Sequence, residues 1–166
     1  MKRNVIDQER NVPALVTFIA NKLSSSASTA YRRELSVGLI EWRVLVQLAI
    51  EPNISANRIC AIAGLDKAAV SRAVRSLADR GLVKVSAANG RRNALALTAA
   101  GRRLHDRGMP VARERERRLL TGLSAAEREI LIRLLTRLHE RLPYVAALAG
   151  DVPRPPRARR VLGRTR

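Results

Sequence analysis

Gly64 and Gly81 cut residues 54–98 into two short helices and a pair of strands, and few architectures accept that order. Ser55 opens the first helix and Asp66 the second, each offering a side-chain oxygen to first-turn amides that lack partners. Ile59, Ile62 and Ala63 give the first helix one apolar stripe. Val70, Val74 and Leu77, at i, i+4 and i+7, give the second its own. A glycine just past a helix end supplies the left-handed residue that closes the last turn. Leu82-Val83-Lys84-Val85 and Ala94-Leu95-Ala96-Leu97 then read as β-type runs around Asn89-Gly90, a hairpin signal set here in a longer connection. The order is helix, tight turn, helix, wing.

That stripe faces inward and leaves Lys67, Ala68, Ser71, Arg72 and Arg75 on the open side of the second helix. A helix so placed fits the major groove of duplex DNA, where each base pair shows a distinct pattern of donors and acceptors. The expected DNA-binding set is Ser55, Asn57, Lys67, Ala68, Ser71, Arg72 and Arg75 from the helices, with Asn89, Arg91 and Arg92 from the wing. Lys67, Ala68, Ser71 and Arg75 are expected to meet bases. Arg72 is expected to hold phosphate or brace the helix, and the wing to reach the neighbouring minor groove.

Net charge agrees with a polyanionic partner, standing at +18 over 166 residues. Single-stranded RNA is read by stacking platforms. This chain has only Phe18, Tyr31, Trp42 and Tyr144 as aromatics, none of them in the basic segment. One cysteine excludes an internal disulfide and fits a reducing cytoplasm. Asp7, Glu9 and Arg10 break any early apolar run, and no stretch reaches the roughly 18 apolar residues that span a bilayer, so no membrane partner is expected.

The rest of the chain reads as a helical frame. Residues 1–11 form a loose arm. Residues 12–36 are helical, with a bend or break expected at Ser24-Ser25-Ser26, because serine competes for backbone hydrogen bonds. Residues 37–50 carry Leu39, Trp42, Leu45 and Ala49 on one side and stop before Pro52. Thr98 caps a long helix through about residue 121, with a kink expected at Gly108 and Pro110. Ser124 and Glu127 form a capping box for a last helix, whose broad stripe of Ile130, Leu131, Leu134, Leu135, Leu138 and Leu142 is expected to close at Pro143. Residues 151–166 are a basic Arg/Pro-rich tail, expected to be disordered; its six arginines account for a third of the net +18. The fold class is therefore mainly α, an α+β winged helix of six helices with a two- or three-stranded wing. Residues 37–98 form the reading domain, flanked by a helical frame over residues 12–36 and 99–150.

The chain resembles the multiple-antibiotic-resistance regulator (MarR) family of bacterial transcription factors. Matching pieces run from Glu41-Trp42-Arg43-Val44-Leu45 through Gly64-Leu65-Asp66-Lys67, Val70-Ser71-Arg72 and Leu77. They continue with Arg80-Gly81-Leu82-Val83, Leu97-Thr98-x-x-Gly101 and Leu119-Leu120-x-x-Leu123-Ser124-x-x-Glu127. The resemblance implies a homodimer whose terminal helices interlock, residues 12–36 and 99–150 forming the helical dimerisation region, with two reading helices facing half-sites about one turn apart on pseudo-palindromic DNA. It also implies a small phenolic or other organic effector, with Trp42 and His105 beside its pocket. Family wings usually carry Asp-x-Arg. Here the triplet is Asn89-Gly90-Arg91, so the arginine keeps a hydrogen-bond partner but loses a charged one.

The expected function is thus a sequence-specific, ligand-responsive DNA-binding regulator, a repressor by preference. A non-specific nucleoid-type DNA protein is the alternative that the basic excess favours. No nucleophile–base pair or glycine-rich phosphate loop points to an enzyme. His105, His139 and Cys60 have no partners at metal-ligand spacing, so neither metal nor cofactor is expected.

Overall fold

The computed structural model describes residues 5–86 and 94–151. In chain order the elements are α1 (Val12–Leu35), α2 (Leu39–Ile50), α3 (Ala56–Ala63), α4 (Lys67–Asp79), β1 (Val83–Ser86), β2 (Ala94–Leu97), α5 (Ala99–Leu119) and α6 (Ala125–Asp151). Contacts gather them into two units, one up to Arg118 and one from Leu119 onward. This is the six-helix winged-helix arrangement the spacing implies.

In the first unit, α2, α3, α4 and the two strands close around Leu45, Leu48, Ile59, Val70, Leu77 and Leu95, all nearly or wholly sequestered from solvent. β1 and β2 pair antiparallel, Val83 opposite Leu97 and Ser86 opposite Ala94. The wing's third strand shrinks to a single bridge from Ile54 to Leu95. The turn between α3 and α4 is closed by Gly64 at φ 61°, where a side chain would be strained.

Two expectations about helix ends fail. The first is the break at Ser24–Ser26, for α1 is continuous through those serines. The Ser26 hydroxyl donates to the Leu23 carbonyl at 3.2 Å and Thr29 to that of Ser25 at 3.4 Å. Arg115 of α5 donates to the Leu23 carbonyl (3.1 Å) and the Ser26 hydroxyl (3.0 Å), so the polar groups are satisfied with the helix intact. The second is the stop at Pro143, which lies inside α6. Proline removes its own amide from the ladder and crowds the carbonyl four residues back, a cost that here does not end the helix. The Ala146-Ala147-Leu148-Ala149 run that follows is among the best helix-forming sequences, and it carries α6 on to Asp151. α5 likewise passes through Gly108 and Pro110 as one helix.

In α5, Glu114 accepts from Arg117 (2.7 and 2.8 Å) and Arg118 (2.6 Å). Those hydrogen bonds, Arg117's first, hold its carboxyl down to about 2 from the ordinary 4.5. A lowered pKa means stabilisation that is complete above the unfolded value and is lost as pH falls from there towards about 2. Because the carboxylate is exposed, added salt weakens the effect. A carboxyl NMR titration at low salt should place the Glu114 midpoint near 2, returning to the ordinary range in an Arg117→Ala/Arg118→Ala variant. An ordinary midpoint in the unaltered chain would show that the arginines do not hold it.

In the second unit, Ser124 and Glu127 make the expected capping box. The Glu127 carboxylate accepts the Ser124 amide at 2.8 Å, and the Ser124 hydroxyl accepts the Glu127 amide at 3.3 Å. The Ser124 amide, and after it the Ser124 hydroxyl, which also donates to that carboxylate at 2.8 Å, lower the Glu127 carboxyl pKa.

Candidate nucleic-acid interface

α4 presents a polar face built from its own periodicity. At about 100° per residue, Lys67, Ala68, Ser71, Arg72 and Arg75 span an arc of about 140°. All five are exposed. Val70, Ala73 and Leu77 fill the opposite side and are buried at 0%, 6% and 0% exposure. The helix starts where Asp66 accepts the Ala69 amide at 2.9 Å. α3 starts where Ser55 accepts the Arg58 amide at 3.2 Å, which places Ser55 half-buried at a cap and Asn57 exposed beside it. Of the seven helical candidates, Ser55 caps α3, Asn57 lies in its first turn and the other five lie on α4. Asn89, Arg91 and Arg92 lie outside the described residues, of which the β1–β2 pair forms the base of the wing. Between α4 and that base is a cleft of about 340 Å³, walled by Ser71, Val74, Arg75, Asp79, Val85 and Leu95.

The two ligand candidates come together, but against each other. Trp42 is 5% exposed and stacks between Tyr31 (centroids 4.7 Å apart) and His105 (5.8 Å). His105 in turn meets Asp106 at 2.9 Å. α5 passes so close that a Cβ on Gly108 would overlap the Trp42 ring. The stack joins α1, α2 and α5. Burial pushes the Tyr31 hydroxyl pKa up, partly offset by the nearby Arg115 guanidinium. Among the described residues no group of three or more His, Cys, Asp or Glu side chains could hold a metal ion. Cys60 packs, half-buried, against the core. No helix among the described residues is long and apolar enough to cross a membrane.

One residue of this interface was not singled out as functional by its local sequence. Glu41 caps α2 by accepting the Gly38 amide at 2.6 Å, and also accepts the Ser76 hydroxyl of α4 at 2.6 Å. An acid three residues after a cap is a visible local signal; its partner 35 residues away is not.

Residues 35–92 match the profile of the MarR family. A MarR/EmrR family transcriptional regulator from Acinetobacter sp. ADP1 is 35% identical over 84% of this chain and 99% of its own, with a TM-score of 0.79. A Mycobacterium tuberculosis MarR family protein, solved in complex with p-aminosalicylic acid, is 28% identical over 78% of this chain and 98% of its own, at a TM-score of 0.65. The S. aureus MepR–DNA complex shares the fold at 20% identity, covering 81% of this chain and 98% of its own, with a TM-score of 0.70. No curated protein sequence matches significantly.

Proposed function

The chain belongs to the MarR/EmrR family of transcriptional regulators, and from that premise we propose that it is a homodimeric repressor reading a pseudo-palindromic operator. The observation that carries the reading is the exposed Lys67–Arg75 face of α4, backed by a fully packed opposite side. Lys67, Ala68, Ser71 and Arg75 are the proposed base contacts. Arg72 and the wing residues Arg91 and Arg92 are proposed to hold phosphate and minor groove, with Asn89 steadying Arg91. Ser55 and Asn57 meet the backbone at the start of α3. The MepR complex with DNA supports this role for the shared fold.

Dimerisation is supported by apolar side chains that a single copy leaves in water. In the first unit these are Val12, Leu15, Val16, Phe18 and Ile19 of α1, and in the second the long stripe of α6. Contiguous exposed apolar surface of that kind marks an interface.

Effector response is supported by the tuberculosis relative's complex with p-aminosalicylic acid. A small phenolic acid that reached Trp42 and His105 would have to open the aromatic stack joining α1, α2 and α5. Release of DNA follows if the ligand binds that opened form more tightly than the DNA-competent one.

The test is fluorescence anisotropy with a duplex of the chain's own upstream region and a scrambled duplex of equal length. We expect a preference of about a thousandfold or more for the upstream duplex, and release of the complex by salicylate. Arg75→Ala should lower the preference by a factor equivalent to about 1–3 kcal/mol, whereas Arg72→Ala should weaken both duplexes alike and flatten the salt dependence. Equal affinity for both duplexes would replace the regulator by a non-specific nucleoid-type protein.

A further inference from the structure

We infer that Glu41 and Ser76 form a strut that sets the angle of α4 on the DNA, and are positioning residues for sequence reading. The inference rests on the regulator reading above. Glu41 lies in the first turn of α2, and its bond to the Gly38 amide fixes the carboxylate to that helix's own N-terminus. The other oxygen is thereby aimed at α4, where it takes the Ser76 hydroxyl at 2.6 Å, with the Arg80 guanidinium 3.8 Å away. A hydrogen bond to an ionised acceptor is shorter and stronger than a neutral one. The Glu41 side chain is only 15% exposed, so water screens it weakly.

The position of the strut matters as much as its strength. Ser76 sits on α4 between the buried Ala73–Leu77 side and the open Arg72–Arg75 side. Beside it a cavity of about 430 Å³, walled by Ser28, Arg32, Leu39, Ala69 and Arg72 among others, opens between α1, α2 and α4. Close packing does not fill that flank of α4, and the strut crosses it. Lys67 lies nine residues from Ser76, about 13 Å along the helix. A tilt of about 5° pivoting near Ser76 therefore moves Lys67 by about 1 Å. Hydrogen bonds to base edges tolerate about half an ångström. Long arginines can follow a phosphate through such a shift. Cutting the strut should cost discrimination before it costs general affinity.

The experiment compares the full chain with Ser76→Ala and Ser76→Thr on the same upstream and scrambled duplexes, with thermal midpoints measured in parallel. Ser76→Ala leaves the Glu41 cap on α2 in place. It should lower the preference for the upstream duplex about tenfold, with unchanged affinity for the scrambled one and a thermal midpoint lower by about 3–10 °C. Ser76→Thr keeps a hydroxyl and should restore the preference. Two results overturn the strut while leaving the regulator reading standing. One is an unchanged preference in Ser76→Ala, and the other is equal weakening on both duplexes, the mark of a mere fastener. An unaltered chain with no preference at all would overturn both readings together.

Discussion

Gly101→Ala is expected to destabilise the protein by about 3 kcal/mol and lower its Tm by about 10 °C, against the local trend. On an isolated helix the same change would stabilise by up to about 1 kcal/mol, because alanine is the better helix former. Here a Cβ at residue 101 would be driven into the backbone carbonyl of Leu82. That carbonyl cannot retreat cheaply. It already accepts the Thr98 amide at 3.1 Å and the Thr98 hydroxyl at 3.3 Å, while the same hydroxyl donates to Gly81 at 2.7 Å. Thr98 also caps α5 by accepting the Gly101 amide at 3.0 Å. One residue thus ties the end of the α4–β1 turn to the start of α5, and the absent side chain at 101 lets the two backbones meet. Overpacking against backbone falls at the upper end of its usual cost, since no rotamer change relieves it. Thermal unfolding checks this, and a midpoint equal to or above that of the unaltered chain would show that helix propensity wins.

A Leu131→Glu/Leu138→Glu variant is expected to be monomeric, with a mass near the single-chain 18.3 kDa in sedimentation equilibrium at micromolar concentration, and the unaltered chain, as the proposed dimer, is expected at twice that. These leucines lie on the α6 stripe and are 37% and 46% exposed in one copy. Burying a leucine is worth about 1.5–3 kcal/mol. A dimer holds four of the altered positions and buries only the two-fifths of each side chain that one copy leaves exposed, so the loss is about 2.5–5 kcal/mol, or about 10²–10⁴ in the dimer dissociation constant. DNA binding should fall with it, because one reading head per molecule engages one half-site. Unchanged far-ultraviolet circular dichroism would show that helix content survives. A variant that stays dimeric would remove α6 from the interface.

Local periodicity determined most of the architecture. The caps at Ser55, Asp66, Thr98 and Ser124, the turn at Gly64, the β pair and the buried and open sides of α4 all depend on residues a few positions apart, and the spacing of the sequence displays them. Where only tertiary contact decides, local reading fails. The serines of α1 stay helical because Arg115, some ninety residues later, takes up the Leu23 carbonyl and the Ser26 hydroxyl. Trp42 and His105 were expected beside an effector pocket; the fold presses them face to face and admits Gly108 against the indole. The strut from Glu41 to Ser76 crosses 35 residues, and Gly101 answers to a carbonyl on another element. Sequence determined most of the segments that form helices and strands and the faces they bury, since most of those choices are settled within a turn or two of chain. The structure alone decided how the reading helix is fixed to its frame, because that depends on which atoms meet when distant segments close on one another.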